Sequence, residues 1–396
     1  MHLTLLREAE VFAPQPLGRR DLLLAGGTIV ANCNTGELGP VPAGYPIVEH
    51  DCAGKRVVPG LVDAHVHVTG GGGEGGFTSR VPPLTLTELS LAGVTSVVGV
   101  LGTDGSTRTM RELVARTLAL REEGISAWCW TGNYEIPVLT LTASVRDDIV
   151  FVDPVIGVGE LAISDHRSSQ PTYAEFLRVA SDCHVAGMLA GKAGILHLHL
   201  GDGDRKLGLI RRALAESELP ARVFHPTHVN RNLALFADAQ ALVAELGERA
   251  PTIDVTAFPA DDVGDGLSAA AAIAAWKQAG LPLAKLTVSS DGGGCMPHFH
   301  ADGTLAHYGV GQSSTLLETI RAAVHEHGLS LAEVLPLFTA NVAKLLRLHG
   351  KGEIAVGAAA DLVVLDEGLA VDAVIAKGRW LVRDGQPVVR GPFEGG

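Results

Sequence analysis

V-V-P-G-L-V-D-A-H-V-H-V, residues 57–68, is an apolar run that ends in two histidines. It reads as a strand. His65 and His67 stand two apart, so both imidazoles leave the same face and can reach one ion. Working outward, seven further runs rich in Val, Ile and Leu have the same character: Val94–Leu101, Ile125–Thr131, Val155–Ile163, Ile195–Leu200, Arg222–His228, Thr252–Phe258 and Leu286–Ser290. Helical patterns separate them, over Thr109–Glu123, Tyr173–Leu189, Lys206–Ser217, Leu233–Leu246 and Leu267–Ala279. Strand and helix in alternation imply a parallel sheet. Eight such units predict a closed α/β barrel, a (β/α)8 TIM-like fold. Thr315–His327 and Leu331–Leu346 read as two more helices.

The ends of the chain read differently. Residues before about Arg56 are rich in Gly and Pro, with short runs such as Leu22–Val30. After Gly350, short apolar runs flank Asp384-Gly385, a hairpin signal. The two ends are expected to meet in a small β-sandwich domain, residues 1–55 plus 351–396, beside a barrel over 56–350.

Composition narrows the partners. The 396 residues are 46% hydrophobic and 19% charged, enough for a large core. A net charge of -13 argues against nucleic acid and anionic membranes. The five cysteines are scattered, with no C-x-x-C, which points to a reducing cytoplasm rather than a disulfide framework. Arg7 and Glu8 interrupt the opening apolar run that a signal peptide needs. No uninterrupted apolar stretch of ~18 residues suggests a membrane span. The expectation is a cytoplasmic protein that acts on a small molecule.

In a parallel barrel, chemistry collects where the strands end. The first run delivers His65 and His67, the fifth His197 and His199, the sixth His225, His228 and Arg231, and the eighth Asp291. The fourth, V-I-G-V-G-E-L-A-I, carries Glu160 in its middle, where an unpaired carboxylate would cost several kcal/mol. Any one of these has a plainer reading. A lone H-x-H is as readily structural, and an Asp before Gly is most often a turn residue. Together they predict a metal site of two ions. His197 and His225 lie deeper in their strands and read as hydrogen-bonded core residues. His298 and His300 sit in a Gly- and Pro-bearing loop and read as rim or surface residues. Tyr134, in W-T-G-N-Y-E, divides evenly between core and site on the residues alone.

D-A-H-V-H with later strand-end His, His and Asp resembles the amidohydrolase superfamily. G-G-G-G-E (70–74), V-V-G-V-L-G-T-D (97–104), A-I-S-D-H-R-S (162–168), P-T-H-V-N-R-N (226–232), L-T-V-S-S-D-G (286–292) and K-G-E-I (351–354) resemble its isoaspartyl dipeptidase family across nearly the whole chain. The resemblance implies hydrolysis of β-aspartyl dipeptides at two zinc ions that share a bridging hydroxide. It implies His65, His67 and Asp291 on the buried ion and His199 and His228 on the exposed one. Asp291 would act as general base and acid, and Tyr134 would donate to the oxyanion. Glu74 suits the substrate ammonium; Arg167 and Arg231 suit its carboxylates, because a guanidinium forks onto two oxygens. Thr103, Gly72 and Gly73 resemble the remaining contacts. A homo-oligomer assembled partly through the small β domain is also implied.

Two departures stand out. Cys295 occupies a position where the family has serine, and a thiol is a weaker donor. The family's fourth strand carries a carboxylated lysine that bridges the metals, but this chain has no lysine between Lys55 and Lys192. Glu160 is the expected replacement bridge. Its arm is shorter by roughly 3–4 Å, so the backbone must approach the metals. Gly159 would permit that through an inserted bulge, since the family pattern has one residue fewer there. The alternatives are another amidohydrolase, such as a cyclic amidase or an N-acyl amino acid deacylase, or a non-catalytic scaffold on the same fold.

Overall fold

The computed structural model describes residues 3–39, 44–259, 264–299 and 305–395. Eight strands run in chain order around one core: Leu61–Val66, Val94–Gly99, Ser126–Thr131, Val155–Ile163, Ile195–Leu200, Phe224–Thr227, Ile253–Thr256 and Leu286–Ser289. The first six form one parallel sheet in sequential order, and the last two pair with each other. The eighth returns to the first through a parallel bridge between Val66 and Gly292, with His67 N donating to Gly292 O at 2.7 Å. Beside it the Asp63 carboxylate accepts from Ser290 N. Side chains span the sixth and seventh strands: the Thr227 hydroxyl donates to Asp254 at 2.7 Å, and Asn230 bonds the Thr256 backbone at both ends of its amide. The helices Met110–Glu123, Tyr173–Ala190, Gly208–Glu216, Leu233–Leu246 and Ala269–Gln278 cover the outside.

Three departures from the sequence reading have local causes. The run 57–68 is two strands. Arg56–Pro59 joins the terminal sheet and Leu61–Val66 the barrel, with the switch at Gly60, whose N–H still goes to Asp361 O while that of Leu61 goes to Gly93 O, and where a Cβ would meet the Thr95 side chain at 2.1 Å. The expected helix Leu331–Leu346 breaks into Leu331–Val334, a 3-10 turn Leu335–Phe338 and Ala340–Leu345, because Pro336 removes a helical donor. Leu86–Leu91 and Val145–Phe151 are additional helices of six and seven residues. They are too short to show a clear 3.6-residue period, although Thr85 and Ser144 cap them.

Both ends of the chain build one nine-stranded sheet. Its centre pairs Arg56–Pro59 with Leu3–Phe12 on one side and Leu362–Leu365 on the other. Alternation divides its residues. Val57, Val364 and Ile375 pack with Leu6, Leu22 and Ile29 in a separate apolar cluster, while Val58, Val363 and Val374 join the barrel core. Asp384-Gly385 turns the hairpin between Arg379–Arg383 and Gln386–Pro387. A further hairpin, Cys295–Phe299 with Leu305–Val310, rises from the loop after the eighth barrel strand.

Candidate metal centre

Glu160 is 1% exposed, at the centre of a ring of histidines. Its two oxygens face different pairs. Oε1 lies 3.5 Å from His65 Nε2 and 3.6 Å from His67 Nε2. Oε2 lies 3.0 Å from His199 Nδ1 and 3.5 Å from His228 Nε2. Asp291 closes the first group, with Oδ1 3.0 Å from His67 Nε2 and 3.5 Å from His65 Nε2. The Asp291 and His228 backbones are both left-handed, at φ 54° and 61°, a costly state for residues other than glycine and one that recurs at functional sites.

The backbone reaches this position through a bulge. Between the pairs Leu196↔Val158 and Leu198↔Leu161, the fourth strand advances three residues while the fifth advances two. The extra residue falls at Gly159-Glu160, as the missing carboxylated lysine led us to expect. Glycine is required there, since a Cβ on Gly159 would sit 2.9 Å from the His197 Cβ and 3.0 Å from the Trp130 ring.

The donor set fits a divalent cation. His65 Nε2, Glu160 Oε1 and Asp291 Oδ1, which face one another, are buried without a hydrogen-bond partner among the described residues. Such groups are rare unless something else satisfies them. His65, His67 and Glu160 form one possible ligand group, Glu160, His199 and His228 another, and His65, His228 and Asp291 a third. Imidazole and carboxylate together suit zinc and its neighbours. The field also demands positive charge. Burial opposes protonation of His65, yet Glu160 and Asp291 outweigh it and raise the imidazole to about 9. Burial likewise opposes the charge on Glu160, but His65, His199 and His228 hold it well below the usual carboxylate range.

The ligand rings are themselves held. His228 Nδ1 meets the Thr256 hydroxyl at 2.7 Å, and His199 Nε2 meets Asp165 Oδ2 at 3.0 Å. Asp165 went unremarked in the sequence reading. The motif A-I-S-D-H-R-S contained it, but its role depends on the fold bringing the fourth and fifth strand ends together. Burial disfavours its charge, but His199 and Arg167 hold it far below the usual range. His197 and His225 lie below the ring as fully buried core residues, as expected. Burial pushes His225 down to about 4 and His197 well below its ordinary value, so both are neutral.

Above the ring is a polar rim. The Tyr134 hydroxyl lies 2.8 Å from His199 Nδ1. Burial and the charge of Glu160 raise its pKa well above 10, so it stays a donor. Arg167 forks onto Asp165, with Nη2 to Oδ2 at 2.8 Å, and its other arm reaches Glu74 Oε1 at 3.3 Å. Arg231 donates to Leu200 O and lies 3.2 Å from His199 Nε2. Gly72 and Gly73 have φ of 81° and 108°, and a Cβ on Gly72 would meet Ser79 O at 2.3 Å. Arg108, also unremarked in the sequence, pins this loop: its buried guanidinium donates to Thr69 O, Gly71 O and Val81 O. Thr103 stands in the loop after the second strand, and its hydroxyl is buried. Cys295 begins the extra hairpin, where burial, Glu74 and Asp291 raise its thiol to about 11. A thiol held protonated in this way is a poor nucleophile. His298 lies on the hairpin strand Cys295–Phe299, and His300 is outside the described residues.

A barrel with a histidine–carboxylate cluster at its strand ends defines a metal-dependent hydrolase class, and family comparison agrees. The amidohydrolase family profile matches residues 56–381, and the chain belongs to that family. Within it, the chain is similar to a β-aspartyl dipeptidase from Fervidobacterium islandicum, crystallised in complex with β-Asp-Leu dipeptide. The two are 39% identical, with a TM-score of 0.89, over 99% of this chain and 100% of that one. Imidazolonepropionase from Sphingopyxis alaskensis is 25% identical over 85% of this chain and 86% of its own. Dihydropyrimidinase from Brevibacillus agri shares the fold at 15% identity, with a TM-score of 0.66 over 98% of this chain and 96% of its own. Among the described residues, no helix is long and apolar enough to cross a membrane.

Proposed function

We propose that this chain hydrolyses β-aspartyl dipeptides at a centre of two zinc ions. The observation that carries the reading is Glu160, whose two oxygens each face a separate pair of histidines. His65, His67 and Asp291 would hold one ion and His199 and His228 the other, with Glu160 between them. Metal bound there supplies Lewis-acid activation of water and of the scissile amide. The similarity to a protein crystallised with β-Asp-Leu supports the substrate class.

The remaining roles belong to side chains. Asp291 takes the proton of the attacking water and passes it to the leaving amine. Tyr134, still protonated at neutral pH, donates to the oxyanion as it forms. Glu74 and Arg167 form an ion pair at 3.3 Å. A substrate that carries an ammonium and two carboxylates can replace that pair with one contact to each partner. Arg231 takes a second carboxylate, and Thr103, Cys295 and the Gly72 and Gly73 backbone line the rest of the pocket. A reducing cytoplasm fits the five free cysteines. A homo-oligomer through the terminal sheet fits the exposed Leu17, Val30, Tyr45 and Ile47.

A substrate panel tests the reading. The zinc-loaded chain is expected to cleave β-Asp-Leu and to leave α-Asp-Leu intact. Turnover of cyclic imides without turnover of β-Asp-Leu would move it to the cyclic amidases.

A further inference from the structure

Barrel interiors are ordinarily packed by layers of branched apolar side chains. Beneath Glu160 this one holds a continuous line of polar groups instead. His65 Nδ1 lies 2.8 Å from His197 Nε2. His197 Nδ1 lies 2.9 Å from His225 Nδ1. His225 Nε2 lies 3.0 Å from Thr287 Oγ1, which donates to Asp254 Oδ1 at 2.6 Å. Asp254 is fully buried and receives two more hydroxyls, from Thr227 at 2.7 Å and Ser289 at 2.6 Å. The line crosses five of the eight strands, entering at the first and ending at the seventh and eighth.

The polarity of the line follows from its far end. A carboxylate accepts only, so the single proton of the Thr287 hydroxyl points at Asp254. Thr287 must then accept from His225 Nε2–H. A neutral imidazole with a proton on Nε2 has a bare Nδ1, which accepts from His197 Nδ1–H. His197 Nε2 is therefore bare and accepts from His65 Nδ1–H. Once an ion takes the place of a second proton on His65, that leaves its Nε2 lone pair for the ion, on the side that faces Glu160 Oε1 and Asp291 Oδ1, each 3.5 Å away. The opposite polarity would put a proton on His65 Nε2 and block coordination.

We propose that Asp254, Thr287, His225 and His197 are positioning residues that fix His65 in its Nδ1–H tautomer and pass it part of a buried negative charge. Outer partners of this kind orient a ligand histidine and raise its basicity. Here the carboxylate acts from four hydrogen bonds away, through a one-way chain. Chains of hydrogen bonds polarise one another, so a break at any link should be felt at its end. The proposal rests on the metal centre proposed above.

Thr287 is the link that can be cut most gently. In the zinc-loaded full chain, Thr287→Val removes one hydroxyl with little change of shape. Competition with a zinc chelator is expected to show one of two zinc ions released at about tenfold to a hundredfold lower affinity, with the other unchanged. Thr287→Ser, which restores the hydroxyl, is expected to return the affinity to within about threefold of wild type, a residue change that retains the donor–acceptor pattern. Unchanged zinc affinity in Thr287→Val, or an equal loss in Thr287→Ser, would overturn the relay. Wild-type chain that binds no zinc would instead remove the metal centre itself. Should Thr287→Val fail to fold, His225→Leu against His225→Gln asks the same question one link along, since Gln can accept and donate in the same direction.

Discussion

At the scale of single residues, the account turns on Glu160. A carboxylate buried in an apolar strand is tolerable only if it is paired, and here four histidines surround it. A glutamate already ends in the group that a lysine gains only by reaction with CO2. Glu160→Gln keeps the shape but loses the charge. It is expected to lower kcat/KM for β-Asp-Leu by at least about a hundredfold, roughly 3 kcal/mol of transition-state stabilisation. Added bicarbonate is expected to restore nothing. Near-wild-type turnover by the variant would reduce Glu160 to a structural carboxylate. This residue was legible in the sequence because a charge in an apolar run is conspicuous. Asp165, Asp254 and Arg108 were not, because their partners lie 34, 33 and up to 39 residues away and only the fold brings them together.

At the scale of elements, the eight barrel strands and the helices longer than eight residues announced themselves by period and composition, whereas the hairpin Cys295–Phe299 with Leu305–Val310 read as a loop. All eight barrel strands fall within the expected runs. Boundaries inside an apolar run were harder to read, as Gly60 and Pro336 show, since the run continues past both. The glycine loop 70–76 was legible as a place of close approach, but what holds it was not. From within the core Arg108 makes three hydrogen bonds, one to Gly71 O in the loop and two to Thr69 O and Val81 O on either side of it. Arg108→Met leaves Thr69 O and Val81 O unpaired, while Gly71 O keeps the Val81 N–H, and is expected to cost about 3 kcal/mol of stability. Because Glu74 rides on that loop, KM for β-Asp-Leu is expected to rise more than kcat falls. Thermal unfolding and steady-state kinetics would read both, and wild-type values in each would show that the loop holds itself.

At the scale of the whole molecule, the barrel gathers residues from the ends of the first, fifth, sixth and eighth strands onto Glu160 of the fourth, and the terminal sheet packs its second face on the barrel core. The overall architecture was legible because alternation of strand and helix leaves few topologies open. The polar interior was less so. His197 and His225 read as core residues, but their shared direction depends on a carboxylate that the sequence places nowhere near them. The central claim is that one glutamate joins two metal ions. Anomalous diffraction at the zinc edge from crystals of the zinc-loaded chain tests it most directly. Two peaks are predicted, one among His65, His67 and Asp291 and one between His199 and His228, each touching a different oxygen of Glu160. A single peak, or two peaks with Glu160 bound to neither, would contradict the account.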